Sequence, residues 1–148
     1  MATFDSRLDS ARMALKLGLG VGPFLAGLDK FFNLLADWPH YLSPLAAAAL
    51  PVSPQTFMYA VGIIEMAVGL TVLTRWTRAG SYVAMAWLIC IAANLVAAGI
   101  LDFAVRDLEM AIAAYALARL TEVRDAAAHV VVPAAGRTTP AHRTSAAA

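Results

Sequence analysis

The chain has 148 residues, of which 61% are hydrophobic and 14% charged, with a mean hydropathy of +0.69 and a net charge of +1. A soluble domain carries about 25% charged residues, so this composition describes a membrane protein, with no room for a separate soluble enzyme domain. No basic cluster with interleaved aromatics offers a nucleic-acid surface, and the single Cys90 precludes an intramolecular disulfide or a CxxC redox or zinc site.

Residues 1–10 read as a cytoplasmic N-terminal segment. A membrane-crossing helix needs about 20 mostly apolar residues, and the first such stretch is Ala11 to Leu35, with Lys16 near its start, Pro23 expected to kink it, and Asp29-Lys30 near its end. Asp5 and Asp9 ahead of it, and the lack of a small-x-small cleavage site, argue against a cleaved signal peptide. Ala36 to Gln55, bounded by prolines, reads as an outer-face segment with a short interfacial helix near Ser43 to Leu50. The second span is Thr56 to Thr74, interrupted by Glu65, and the third is Ala79 to Leu101. The fourth, Phe103 to Val123, carries Arg106, Asp107, Glu109 and Arg119, with Asp102 placed to cap it. Residues 125–148 are small, polar and proline-containing, and read as a disordered cytoplasmic tail.

Basic residues set the orientation. With four spans, nine fall on one side (Arg7, Arg12, Lys16, Arg75, Arg78, Arg119, Arg124, Arg137, Arg143) and two, Lys30 and Arg106, on the other. The positive-inside rule makes the first side cytoplasmic. Trp38, Tyr41, Tyr59 and Phe103 would lie at the outer boundary and Trp76 and Tyr82 at the inner one. The expectation is an all-α integral membrane four-helix bundle over 11–124, N-in/C-in.

Glu65 falls near the midplane of its span, where an ionised group is costly and is kept for pairing or for function. All four spans bring polar groups toward the outer half: Asp29 and Lys30, Glu65, Asn94, then Arg106, Asp107 and Glu109. The inner half has only arginines able to snorkel from helix ends. Small residues let helices approach closely, so ridges at Ala14, Gly18, Gly22 and Ala26, at Gly62 and Gly69, and at Ala86, Cys90, Asn94 and Ala98 are expected to face the bundle, with Cys90 a buried small hydrophobe. Glu65 then points inward, with Lys30, Arg106 and Asn94 as candidate partners. These four either line a binding cavity closed below by Gly22 and Gly69, or serve only to fix helix register. Asp29, Asp107 and Glu109 are secondary candidates, the first two as boundary residues. No span holds a histidine, so a bis-histidine haem site is excluded, and no metal-ligand motif, P-loop or serine–histidine pair is present.

The succession of Arg12, then "FLAGLDKFF" with Gly27 and Lys30, then "LPVSPQTFMYAVGIIE", then "EMAVGLTVLTRWTRAGSYVAM" resembles the DoxX-like family of small four-helix bacterial membrane proteins. The likeness runs from Arg12 to Ala98, is loose in the fourth span, and lacks the glycine-rich ending followed by an aspartate that some members have. It implies a bacterial inner-membrane protein, an accessory or anchoring subunit of a membrane redox system rather than an independent enzyme. Lys30 and Glu65 match the family's polar motif, and a quinone headgroup or small anion is the implied ligand. A redox-enzyme subunit or a second copy of the chain is the implied partner. A small-solute or proton-coupled carrier and a purely structural membrane subunit are the alternatives, the carrier disfavoured by the one-sided polar cluster.

Overall fold

A computed structural model describes residues 2–131, with side chains over 6–127. The described chain is all-helical: α1 (Ala2–Asp29), a 3-10 turn (Trp38–Tyr41), α2 (Pro44–Ala49), α3 (Pro54–Leu73), α4 (Thr77–Ala97) and α5 (Leu101–Val131). Stretches of α1 (Ser6–Asp29), α3 and α4 are long and apolar enough to cross a membrane, which marks the chain as a membrane protein.

Local chemistry explains the ends. Ser43 and Ser53 cap α2 and α3, accepting from the Ala46 and Thr56 amides, and each is followed by proline at the first helical position, where the missing N–H costs nothing. Helix α4 stops at Ala97, four residues before the expected end, because Gly99 adopts φ +78° and the Ile100 and Gly99 amides fold back onto the Leu95 and Val96 carbonyls. Helix α1 ends at Asp29 rather than Leu35: the Asp29 carbonyl accepts from the Phe32 and Asn33 amides, and Asn33 takes φ +53°. At the other ends the helices are longer than expected. Helix α1 starts at Ala2, inside the segment read as preceding it, and α5 continues to Val131, through the first part of the expected tail. The remainder of that tail, 132–148, lies outside the described residues. Asp102 sits in the first turn of α5, one residue inside the helix rather than capping it.

Four long helices pack in a ring, α1 on α3, α3 on α4, α4 on α5 and α5 on α1, with the α1–α3 and α4–α5 contacts the most extensive. Glycines set the α1–α3 approach. A Cβ on Gly27 would lie 2.5 Å from the Gly62 carbonyl, one on Gly62 the same distance from the Gly27 carbonyl, and one on Gly69 the same distance from the Gly20 carbonyl. Gly20 and Gly27, seven apart, therefore meet Gly69 and Gly62, seven apart and running the other way. The expected ridge through Gly18 and Gly22 is not the packing face: a Cβ on either would meet nothing within 4 Å. In α4 the buried face is Thr77, Ser81, Ala84, Leu88, Ala92 and Leu95, which leaves Ala86 and Cys90 exposed instead of packed. Alanines 84, 104, 111, 114 and 118 are nearly inaccessible, and they let α4 and α5 lie close together.

Two apolar clusters result. One, Leu19, Val68, Val72, Ala84, Ala114 and Leu117, fills the middle of the bundle; the other, Leu42, Met58 and Val61, packs the outer segment onto α3 with Trp38, Phe57 and Trp87. Large apolar side chains such as Leu17, Leu25, Ile63, Val83, Val96, Val105 and Ile112 remain exposed around the outside, a surface suited to lipid rather than water.

Candidate functional site: a buried ion pair at the polar end of a cavity

The α1–α3 glycine contact decides where Lys30 goes. Lys30 follows the last residue of α1, one turn beyond Gly27, and its Cβ lies 3.2 Å from where a Gly62 side chain would begin. The α3 residue one turn on from Gly62 is Glu65, and the Lys30 Nζ donates to Glu65 Oε2 at 2.5 Å. Both residues are almost wholly buried, at 3% and 6% exposure. The ammonium also sits 3.7 Å from the centre of the Trp38 ring, a cation–π contact that covers it from the side of the α1–α3 connection.

Asp29 holds that cover in place. Its carboxylate accepts from the Trp38 indole at 2.8 Å and from the Leu34 and Leu35 amides at 3.1 and 3.0 Å, so one acid ties the connection after α1 into a fixed turn. Gln55 closes the other edge, donating to the Lys30 carbonyl and accepting from Asn33.

From α5 comes Asp107, 5% exposed and close enough to both Lys30 and Glu65 to interact with them electrostatically. Arg106 pairs with Asp107 at 3.3 Å and lies 4.5 Å over the Phe103 ring, its side chain 56% exposed. The Trp87 indole of α4 lies beside Glu65, yet its buried Nε1 has no hydrogen-bond partner among the described residues.

These groups share a cavity of about 750 Å³ between the helices and the outer segment. Lys30, Glu65, Asn94, Arg106 and Asp107 all line it, and so does Gly22. Its remaining walls are largely apolar and aromatic, including Tyr41, Phe57, Val68, Leu88 and Met110. A volume of that size accommodates a small-molecule headgroup.

Of the sequence candidates, Lys30 and Glu65 meet directly. Asn94 lines the cavity but does not join them: its amide donates to the Tyr41 carbonyl at 2.8 Å and accepts from the Ser43 amide at 3.0 Å, pinning the outer segment to α4. Arg106 pairs with its neighbour Asp107 rather than with Glu65. Glu109 is exposed and Asp29 serves the turn, so neither lines the cavity. Gly69 packs on Gly20 and Phe24 and does not form the floor. Cys90, expected to be buried, borders the cavity from an exposed position. Sequence reasoning missed Trp38 and Trp87 as members of the site; Trp87 is seven residues before Asn94, hence on the same face of α4, and that spacing was the available signal. Among the described residues no group of three or more histidine, cysteine or acidic side chains converges as a metal site. Comparison with protein-family models, with curated proteins and with solved structures finds no match for the chain.

Proposed function

We propose that the chain is a DoxX-like protein of the bacterial cytoplasmic membrane that crosses four times with both termini inside. In this reading it is an accessory or anchoring subunit of a membrane redox system whose cavity receives a quinone headgroup or a small anion. The observation that carries the proposal is the Lys30–Glu65 pair, buried at the polar end of a largely apolar cavity. An ion pair withdrawn from water is expensive and rarely repays its desolvation in stability, so a cavity beside it points to use.

Two features support the crossing of α5 and the orientation. Between Met110 and Ala118 the helix carries no charge, and its 31 residues at about 1.5 Å each give roughly 46 Å, ample for a bilayer. Basic residues divide along the bundle as well: Arg7, Arg12, Lys16, Arg75, Arg78, Arg119 and Arg124 lie at one end, and Lys30 and Arg106 at the cavity end.

The same charges favour the quinone over the anion. Lys30 is already neutralised by Glu65, and Arg106 by Asp107, so an entering anion would have to displace a carboxylate already in place. A neutral carbonyl headgroup needs only hydrogen bonds and apolar walls. The reading of a purely structural bundle draws on the same pairing; the cavity beside the pair supports the binding reading.

The test is thermal unfolding of the purified protein with a short-chain quinone analogue, with thiosulfate, and with an alkyl control lacking the carbonyls. A ligand at one hundred times its Kd stabilises by about 2.7 kcal/mol. Stabilisation by the quinone analogue that Ala26→Phe, placed in the cavity wall, abolishes is the expected result. Indifference to every ligand overturns the proposal.

A further inference from the structure

At the end of the bundle opposite the cavity, the turn between α3 and α4 forms a shallow recess of about 520 Å³ lined by Arg75, Trp76, Arg78, Ala79 and Tyr82. Its charge is unbalanced. Lys16 Nζ donates to the Thr74 carbonyl at 3.0 Å, bringing a further cation to the turn. Glu122 of α5 is the carboxylate that answers this group, and it is divided among Arg78 at 3.1 Å, Arg119, and the Tyr82 hydroxyl at 2.9 Å. Arg75 is exposed and makes no ion pair or hydrogen bond among the described residues. Arg78 and Arg119 thus share one acid, and Arg75 is uncommitted.

The surroundings are those of a lipid headgroup region. The recess sits where two apolar helices of membrane-crossing length join. The Trp76 side chain stands out at 60% exposure, the placement of an amphipathic ring at a membrane boundary. One turn along α4 from Ala79, Val83 is exposed, and Leu70 is exposed on α3, so an apolar surface leads away from the charges toward the middle of the bundle.

We propose that this recess binds the phosphate of an anionic phospholipid, with Arg75 as its principal charge, Arg78 at its edge, and the acyl chains lying along the α4 surface past Val83. The inference does not depend on the cavity or its ligand. A basic group beside the membrane adds about fivefold in affinity for an anionic surface. A single phosphate held between two arginines gains on both, whereas free phosphate has the same charges without the apolar path.

The experiment uses the full chain in neutral detergent, with native mass spectrometry for bound lipid and thermal unfolding as readouts. Phosphatidylglycerol, phosphatidylcholine and inorganic phosphate are added separately. The expected result is retention of and stabilisation by phosphatidylglycerol alone, with Arg75→Gln weakening retention about fivefold and Arg124→Gln, at the same end but outside the recess, leaving it unchanged. Because Arg75 has no partner to orphan, its variant should melt like the parent when no lipid is added. Equal retention of phosphatidylcholine, equal stabilisation by inorganic phosphate, full retention in Arg75→Gln, or equal losses in the two variants would each overturn the assignment.

Discussion

Removing one member of the Lys30–Glu65 pair should cost far more than removing both, and the two single losses should differ. Truncating one partner of a buried ion pair leaves an uncompensated charge and costs about 3–5 kcal/mol, while replacing both by apolar groups is often neutral. Here the orphans have unequal neighbours. With Glu65→Gln, the Lys30 ammonium keeps the Trp38 ring at 3.7 Å and has the Asp107 carboxylate nearby, so the cost falls to about 1–3 kcal/mol. With Lys30→Met, the Glu65 carboxylate keeps only the approach of the Trp87 indole and faces Asp107, a like charge, so the full 3–5 kcal/mol is expected. The double variant Lys30→Met, Glu65→Met should return to within about 1 kcal/mol of the parent, giving a coupling energy of several kcal/mol. The assay is reversible unfolding in mixed detergent micelles across the four proteins of the cycle. Additive single losses, or a Glu65→Gln variant less stable than Lys30→Met, would refute the account of the pair given above.

Gly62→Ala would set a methyl group 2.5 Å from the Gly27 carbonyl, and it should lower stability by about 1–3 kcal/mol as α1 and α3 part; a parent-like melting temperature contradicts the close approach. Asn94→Leu strips the Ser43 amide and Tyr41 carbonyl of their partner and should cost about 1–3 kcal/mol, with faster protease cleavage between Ala36 and Ser53 as the local readout. For topology, thiols introduced at the exposed positions Ala48 and Asp125, in a Cys90→Ser background, should react from opposite sides in intact cells. Labelling of both by an impermeant reagent rules out four crossings.

Much of the fold was legible because membrane helices announce themselves by length and hydropathy. Helices α3 and α4 lie within four residues of their expected bounds, while α1 runs from Ala2 to Asp29 against an expected Ala11 to Leu35. The errors cluster where a tertiary contact or a backbone angle overrode composition. Leu34 and Leu35 extended the apolar run of α1 on paper, yet the Asp29 carboxylate captures their amides and turns the chain away. Gly99 read as one more small residue in a span, while its positive φ ends the helix. The ridge on α1 was drawn through Gly18 and Gly22 because steps of four lead to Lys30; a spacing of seven through Gly20 and Gly27 also leads close to it, and only the partner glycines at 62 and 69 select the second.

The site followed a similar division. That Glu65 needs a partner followed from the cost of a mid-span carboxylate, and Lys30 was among the three candidates. Which candidate was decided by geometry that no single-helix periodicity contains: Lys30 sits one turn past a glycine contact, Arg106 has a closer acid in Asp107, and Asn94 is consumed by the backbone of the outer segment. The outer segment is the least periodic part of the chain, and it supplies Trp38, whose ring covers the lysine while its indole answers Asp29. Asp29 therefore acts at one remove, since its loss would free the Trp38 ring and uncover the Lys30–Glu65 pair without touching either charge. A residue of that kind leaves no mark in hydropathy, because its partners are two backbone amides and an indole rather than an opposite charge.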